Sequence, residues 1–172
     1  MTLPQITLVL GGARSGKSRY AETLVHEAGG GVYLATAQAL DDEMAARIAK
    51  HRTDRGHGWT TLEEPLELAA ALDRGARAGQ PILVDCLTLW LSNLMGAGRA
   101  VEPETARLLA VLKSVPVSVV LVANEVGLGI VPDNALARAF RDEAGRLNQA
   151  IAAAADRVVF LAAGLPMVLK GG

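Results

Sequence analysis

The chain has 172 residues, 51% apolar and 20% charged, a balance that fits one globular domain, residues 1–172, with a sizeable core. A formal net charge of -1 and only 3% aromatic residues provide neither a basic field nor a stacking platform, which argues against a nucleic-acid partner. Cys86 is the only cysteine, so an intrachain disulfide and a cysteine-rich zinc site are excluded, and a reducing, cytoplasmic setting is expected.

The first element is the apolar run Ile6–Leu10, expected to be a strand. Pro4 and Gln5 break the start of the chain, so no signal peptide is read there. Gly11-Gly12-Ala13-Arg14-Ser15-Gly16-Lys17-Ser18 comes next, followed by a helix-like stretch to Glu27. The pattern G-x-x-x-x-G-K-S between a strand and a helix is a P-loop. Its glycines let backbone N–H groups curl around phosphate oxygens, and the helix presents its positive end to the same anion. Lys17 would reach the β- and γ-phosphates, and the Ser18 hydroxyl would ligate Mg²⁺. The expected ligand is a nucleoside triphosphate.

Gly29-Gly30-Gly31 ends the first helix, and Val32–Ala35 reads as a short buried strand. Asp41-Asp42-Glu43 then opens a helix that runs to about Arg55, with acids at its positive end. Gly56-His57-Gly58 stops it, and Trp59–Leu62 is a further strand candidate. A helix is expected from Glu64-Pro65 through Arg77. Pro81–Asp85 is a buried strand ending in an acid, and Leu87–Leu94 is helical. Gly96-Ala97-Gly98 reads as a loop, Glu104–Lys113 as a helix and Val117–Ala123 as a central strand. Asn134–Ala155 is one long helix with Asp133 as its N-cap. Val158–Leu161 closes the sheet, with Met167–Leu169 as an added edge strand. Nowhere does an apolar run reach the ~18 residues of a membrane span.

Strands alternating with helices imply an α/β fold with a mostly parallel central sheet flanked by helices, its ligand at the carboxyl ends of the strands. Asp85 ends such a strand, where an acid binds Mg²⁺ beside the loop serine or caps the helix that follows. Cys86 reads as an inert, partly buried thiol. Met44, Ile48, His51 and Arg55 share one helix face, a pattern that fits either a packed histidine or a catalytic one. Lys50, Arg52 and Arg55 surround it with phosphate-binding charge, and a neutral imidazole is a capable nucleophile towards phosphorus. Asn124–Pro132 follows the central strand and reads as a binding loop or a plain one. Gly145 inside the long helix points to a close packing contact, within the chain or with a neighbouring subunit. Arg138, Arg141 and Arg146 on that helix read mainly as a solvated or ion-paired face.

These motifs together resemble one family. They are Gly11–Ser18, Ala35-Thr36-Ala37-Gln38, Asp41-Asp42-Glu43-Met44 and Arg47-Ile48 followed by His51-Arg52. Val84–Thr88, Asn124–Gly127 with Gly129–Pro132, and Phe140-Arg141-Asp142 with Gly145-Arg146 and Asn148-Gln149 complete the set. The chain is similar, nearly end to end, to the bifunctional adenosylcobinamide kinases / adenosylcobinamide-phosphate guanylyltransferases of cobalamin biosynthesis. The resemblance implies a P-loop NTPase domain of RecA-like form and two reactions. The aminopropanol hydroxyl of adenosylcobinamide takes the γ-phosphoryl group of ATP or GTP. The resulting phosphate then attacks a GMP carried on the enzyme, giving adenosylcobinamide-GDP. It further implies that His51 carries the GMP and that Lys17 acts with it in catalysis. By the same likeness, Thr36, Ala37 and Gln38 lie near the nucleotide, Arg52, Thr53, Asp54 and Arg55 contact guanosine or phosphate, and Glu63 reads guanine. Mg²⁺ is the implied metal and a homotrimer the implied assembly.

Two other readings compete. A simple small-molecule kinase would leave His51 structural and carry no enzyme-bound nucleotide. A RecA-like motor or nucleotide switch acting on a polymer would need a basic surface, or a guanine-switch motif, that the sequence lacks.

Overall fold

A computed structural model describes residues 3–38 and 58–172. The described residues form a seven-stranded sheet in which six strands are parallel and one edge strand is antiparallel. In chain order the elements are β1 (Ile6–Gly11), α1 (Lys17–Glu27), β2 (Gly31–Ala35), β3 (Trp59–Glu63), α2 (Leu68–Ala76) and β4 (Ile82–Asp85). They continue as α3 (Leu87–Gly96), α4 (Val101–Ser114), β5 (Val119–Asn124), α5 (Ala135–Ala154), β6 (Arg157–Ala162) and β7 (Leu165–Lys170). Across the sheet the order is β3-β2-β4-β5-β1-β6-β7. β1 therefore lies between β5 and β6, deep in the sheet, and its carboxyl end opens between neighbours on both sides.

The central strands are apolar on both faces, as parallel strands covered by helices must be. Alternation sorts their side chains. Leu8, Leu10, Leu34, Ile82, Val84, Val119 and Leu121 pack with Leu72 of α2, Trp90 and Leu94 of α3, Leu108 and Leu112 of α4, and Leu147 and Ile151 of α5. Val9, Tyr33, Leu83, Val120, Val122 and Val159 point to the other side, where Ala21 and Val25 of α1 meet them. The functional loop thus sits on the α1 face, backed by a rigid sheet.

Several boundaries differ from those read in the sequence, each for a local reason. α2 begins at Leu68 rather than at Glu64-Pro65. The Glu64 carboxylate accepts the N–H groups of Leu66 and Glu67 at 3.2 and 2.9 Å, and so folds a turn ahead of the helix. α4 begins at Val101, three residues before Glu104. Pro103 stands in its first turn, where a missing N–H removes no helical bond. α3 runs on to Gly96. The N-cap of α5 is Asn134, not Asp133, because Asn134 Oδ1 accepts the Ala137 N–H at 2.8 Å. The edge strand expected at Met167–Leu169 is β7, which spans Leu165–Lys170 and pairs antiparallel with β6 across a tight turn in which Ala163 and Gly164 both have positive φ, 51° and 78°.

The expected helix from Asp41 to Arg55 lies outside the described residues. Among the described residues no helix is long and apolar enough to cross a membrane.

Candidate active site

Parallel register brings the chemistry-bearing residues to one end of the sheet. Ala35 lies opposite both Glu63 and Asp85, and Gly11 lies opposite Asn124. Each residue ends its strand or follows directly after it, so Gly11–Ser18, Thr36–Gln38, Glu63, Asp85 and Asn124 share the carboxyl edge.

The loop after β1 is shaped by glycine in two ways. A Cβ on Gly11 would lie 2.5 Å from Ser15 Oγ and 2.8 Å from the Leu161 carbonyl oxygen, so only glycine allows the loop to fold back there. Gly16 has φ +92° and forms the N-cap of α1, while Arg14 takes φ 54°. These left-handed residues turn the backbone so that Ser15 N–H faces Gly12 O at 3.4 Å. The β6–β7 turn braces the loop from outside: Gly164 N–H donates to Ser15 O at 2.9 Å.

Lys17 lies across the mouth of this loop, its Nζ donating to Gly12 O at 3.1 Å. α1 starts with no side-chain cap and no acid in its first turn. Its first N–H groups and its positive end are therefore turned to the loop, an arrangement suited to phosphate. Ser15 is buried, and its Oγ has no hydrogen-bond partner among the described residues. A polar atom so placed is satisfied when a phosphate oxygen enters. Ser18 stands one residue past Lys17, on the first turn of the helix.

Asp85 is half-buried at the end of β4, and Tyr33 Oη donates to its Oδ2 at 2.8 Å. Oδ1 has no hydrogen-bond partner among the described residues. The helix-cap reading of Asp85 fails, since the N-cap of α3 is Cys86 and no side chain caps that helix. Cys86 is buried as expected. Burial, helped by the charge of Asp85, pushes its thiol up from 9.0 to about 11. The group stays neutral at ordinary pH, which makes it a poor nucleophile.

Thr36 is fully buried. Its hydroxyl donates to the Cys86 carbonyl at 2.7 Å and accepts the Cys86 N–H at 2.9 Å. It therefore ties β2 to the end of β4, so its hydroxyl is engaged by protein, while Ala37 and Gln38 are half-buried beside it. Glu63 is exposed at the outer strand end. His51, Arg52, Thr53, Asp54 and Arg55 lie outside the described residues.

The residues that hold this edge together carry no assigned role in the sequence reading, although Thr88 and Asn148 belong to its motifs. Asn93 on α3 donates from Nδ2 to Thr36 O at 2.8 Å and to Pro65 O at 3.0 Å. Thr88 Oγ1 accepts the Asn124 N–H at 2.7 Å, and Asn148 Nδ2 donates to Asn124 O at 3.3 Å. A lone polar residue on an otherwise apolar face was the available signal, and it names no partner. The arginines of α5 are engaged as that helix face predicts: Arg141 with Asp142, Arg146 with Glu143, and Arg138 with the carbonyls of Pro132 and Asp133.

A glycine-shaped loop after an inner parallel strand, an uncapped helix start and an acid at a neighbouring strand end define a P-loop NTPase fold. The fold is similar to that of the P4 protein from bacteriophage phi6 in complex with ADP, with a TM-score of 0.53 and 18% identity over 94% of this chain and 52% of that one. It is also similar to a prototypical ATPase from the type III secretion system of pathogenic bacteria, with a TM-score of 0.55 and 11% identity over 95% of this chain and 56% of that one. This chain spans about half the length of each, and at these identities the likeness concerns the fold alone. The particular family follows from sequence. The model of the cobinamide kinase / cobinamide phosphate guanyltransferase family matches residues 7–169, and the chain belongs to that family. The bifunctional adenosylcobalamin biosynthesis protein CobP of Pseudomonas aeruginosa is 56% identical over 95% of this chain and 96% of its own length. The CobU proteins of the same description from Salmonella typhimurium and Escherichia coli K12 are 44% and 42% identical, each over 95% of this chain and 98% of their own. The chain is thus a kinase and nucleotidyltransferase of cobalamin biosynthesis that uses nucleotide substrates.

Proposed function

We propose that this chain phosphorylates adenosylcobinamide with ATP or GTP and then transfers GMP from GTP to the phosphate product through a guanylyl-histidine on His51. The observation that carries the reading is the family match over residues 7–169, on a fold whose P-loop is shaped to hold a triphosphate. Both reactions run on one catalytic domain, residues 1–172.

In the kinase step the loop N–H groups and Lys17 hold the β- and γ-phosphates, and the substrate hydroxyl displaces nucleoside diphosphate from the γ-phosphorus. In the second reaction a His51 ring nitrogen attacks the α-phosphorus of GTP. The bond from the α-phosphorus to the α–β bridging oxygen breaks, and pyrophosphate leaves. A phosphate oxygen of adenosylcobinamide phosphate then attacks the same phosphorus, the P–N bond breaks and neutral histidine returns. The reactive P–N bond replaces one hard displacement with two easier ones.

The residues present fit Mg²⁺. Ser18 and the Oδ1 side of Asp85 are hard oxygen donors, and a P-loop magnesium takes few protein ligands besides phosphate oxygens and water. When bound, the ion would neutralise charge developing on the phosphate oxygens. Ala37, Gln38, Arg52, Thr53, Asp54 and Arg55 complete the nucleotide site around Thr36, and Glu63 accepts the guanine N1 and N2 hydrogens. The protein acts in the cytoplasm as a homotrimer, a reading that rests on the family resemblance and on its unpaired cysteine.

Product analysis with adenosylcobinamide, GTP and Mg²⁺ tests the scheme. The wild type should yield the phosphate and then the GDP derivative. His51→Ala should stop at the phosphate, and Lys17→Ala should slow both steps by about 100-fold or more. A His51→Ala enzyme that still makes the GDP derivative would exclude the histidine step.

A further inference from the structure

β2 is buried along its whole length, Gly31-Val32-Tyr33-Leu34-Ala35, and Tyr33 carries its one polar side-chain atom. A buried phenol needs a partner. Tyr33 lies opposite Leu83 in register, and Ala35 lies opposite Asp85. Tyr33 therefore reaches diagonally along the α1 face to the Asp85 carboxylate, 2.8 Å away. Its ring is held edge-on by Trp59, with centroids 6.0 Å apart and planes at 79°.

We propose that Tyr33 is a positioning residue for the metal site: its hydroxyl fixes Oδ2 of Asp85 and turns Oδ1 toward the cation beside Ser18. The proposal rests on the reading that Asp85 holds Mg²⁺. The choice of donor supports it. A lysine or arginine at Tyr33 would neutralise the charge a cation needs, whereas a neutral phenol orients the carboxylate and leaves that charge intact. The backbone beneath is restrained as well, since Thr36 exchanges two hydrogen bonds with Cys86 and Asn93 ties down the Thr36 carbonyl. Strand end and side chain are thus fixed by separate groups, and among the described residues Tyr33 is the one that donates to the carboxylate.

Tyr33→Phe keeps the ring and its contact with Trp59 and removes the hydroxyl. Two readouts apply: Mn²⁺ binding to the complex with a non-hydrolysable GTP analogue, followed by electron paramagnetic resonance, and the Mg²⁺ concentration that half-saturates phosphorylation. Tyr33→Phe should weaken Mn²⁺ binding and raise the Mg²⁺ requirement by roughly 10-fold, with kcat at saturating Mg²⁺ and the melting temperature little changed. Added to Asp85→Asn, it should have no further effect. If Asp85→Asn loses the metal and Tyr33→Phe binds it as the wild type does, the role of Tyr33 is overturned and that of Asp85 stands. If Asp85→Asn itself binds metal normally, the metal reading of Asp85 fails and the Tyr33 proposal fails with it.

Discussion

Cys86 shows how burial decides a residue's chemistry at this site. It lies one position past Asp85, yet burial, with Asp85 adding to it, places its thiol at about 11. The folded value exceeds the unfolded one of 9.0, so the stability linked to Cys86 is intact below pH 9 and is lost as pH climbs toward 11. The loss should amount to about 2 kcal/mol. Urea unfolding of wild type and Cys86→Ala from pH 8 to pH 11 checks this. The wild type should lose more stability over that range, and identical slopes would contradict it. Glu64 behaves in the opposite sense. Burial raises its pKa, but the Glu67 and Leu66 N–H groups and Arg74 outweigh that and hold it below 4.5. Its contribution is present above pH 4.5 and fades as pH falls through the folded value, so Glu64→Gln should flatten the acid limb of the stability curve.

At the scale of elements, the loop after β1 depends on two neighbours. Gly16 needs its left-handed φ, and a Cβ there would also come within 3.3 Å of Gly164 Cα in the β6–β7 turn. Gly16→Ala should cost about 1–2 kcal/mol and weaken nucleotide binding together, as read by thermal melting and GTP titration. Asn134→Ala, which removes the α5 cap, should cost about 1 kcal/mol without affecting nucleotide affinity. These elements were unevenly legible in the sequence. Strands such as Ile82–Asp85 announce themselves, because a short apolar run bounded by Pro81 and a polar end reads as a buried strand. Helix starts were less clear. Glu64-Pro65 has the composition of a helix start, but the Glu64 side chain bonds forward to its own backbone and delays the helix to Leu68. The loop motif and Asp85 stood out because their chemistry is local. Tyr33, Asn93 and Thr88 did not, because their partners lie far along the chain and only the sheet register brings them together.

At the scale of the whole molecule, the outer surface is unevenly polar. Leu165, Met167 and Leu169 of β7 are exposed on an edge strand, and Ile130 in the loop after β5 is 98% exposed. Gly145 has no atom within 4 Å of the Cβ it lacks, so no packing contact among the described residues accounts for it, and a neighbouring subunit remains the reading for that position. The homotrimer proposed from the family resemblance predicts three times the chain mass by light scattering on a sizing column, and a monomeric mass would contradict it. By the proposed chemistry one P-loop chain transfers both a phosphoryl and a guanylyl group. The decisive measurement is incubation with Mg²⁺ and GTP labelled at the α-phosphorus, then denaturation and counting of the protein. The wild type should acquire an acid-labile label that γ-labelled GTP does not give and that His51→Ala lacks. A folded, GTP-binding wild type that acquires no label would contradict that chemistry and leave a kinase alone.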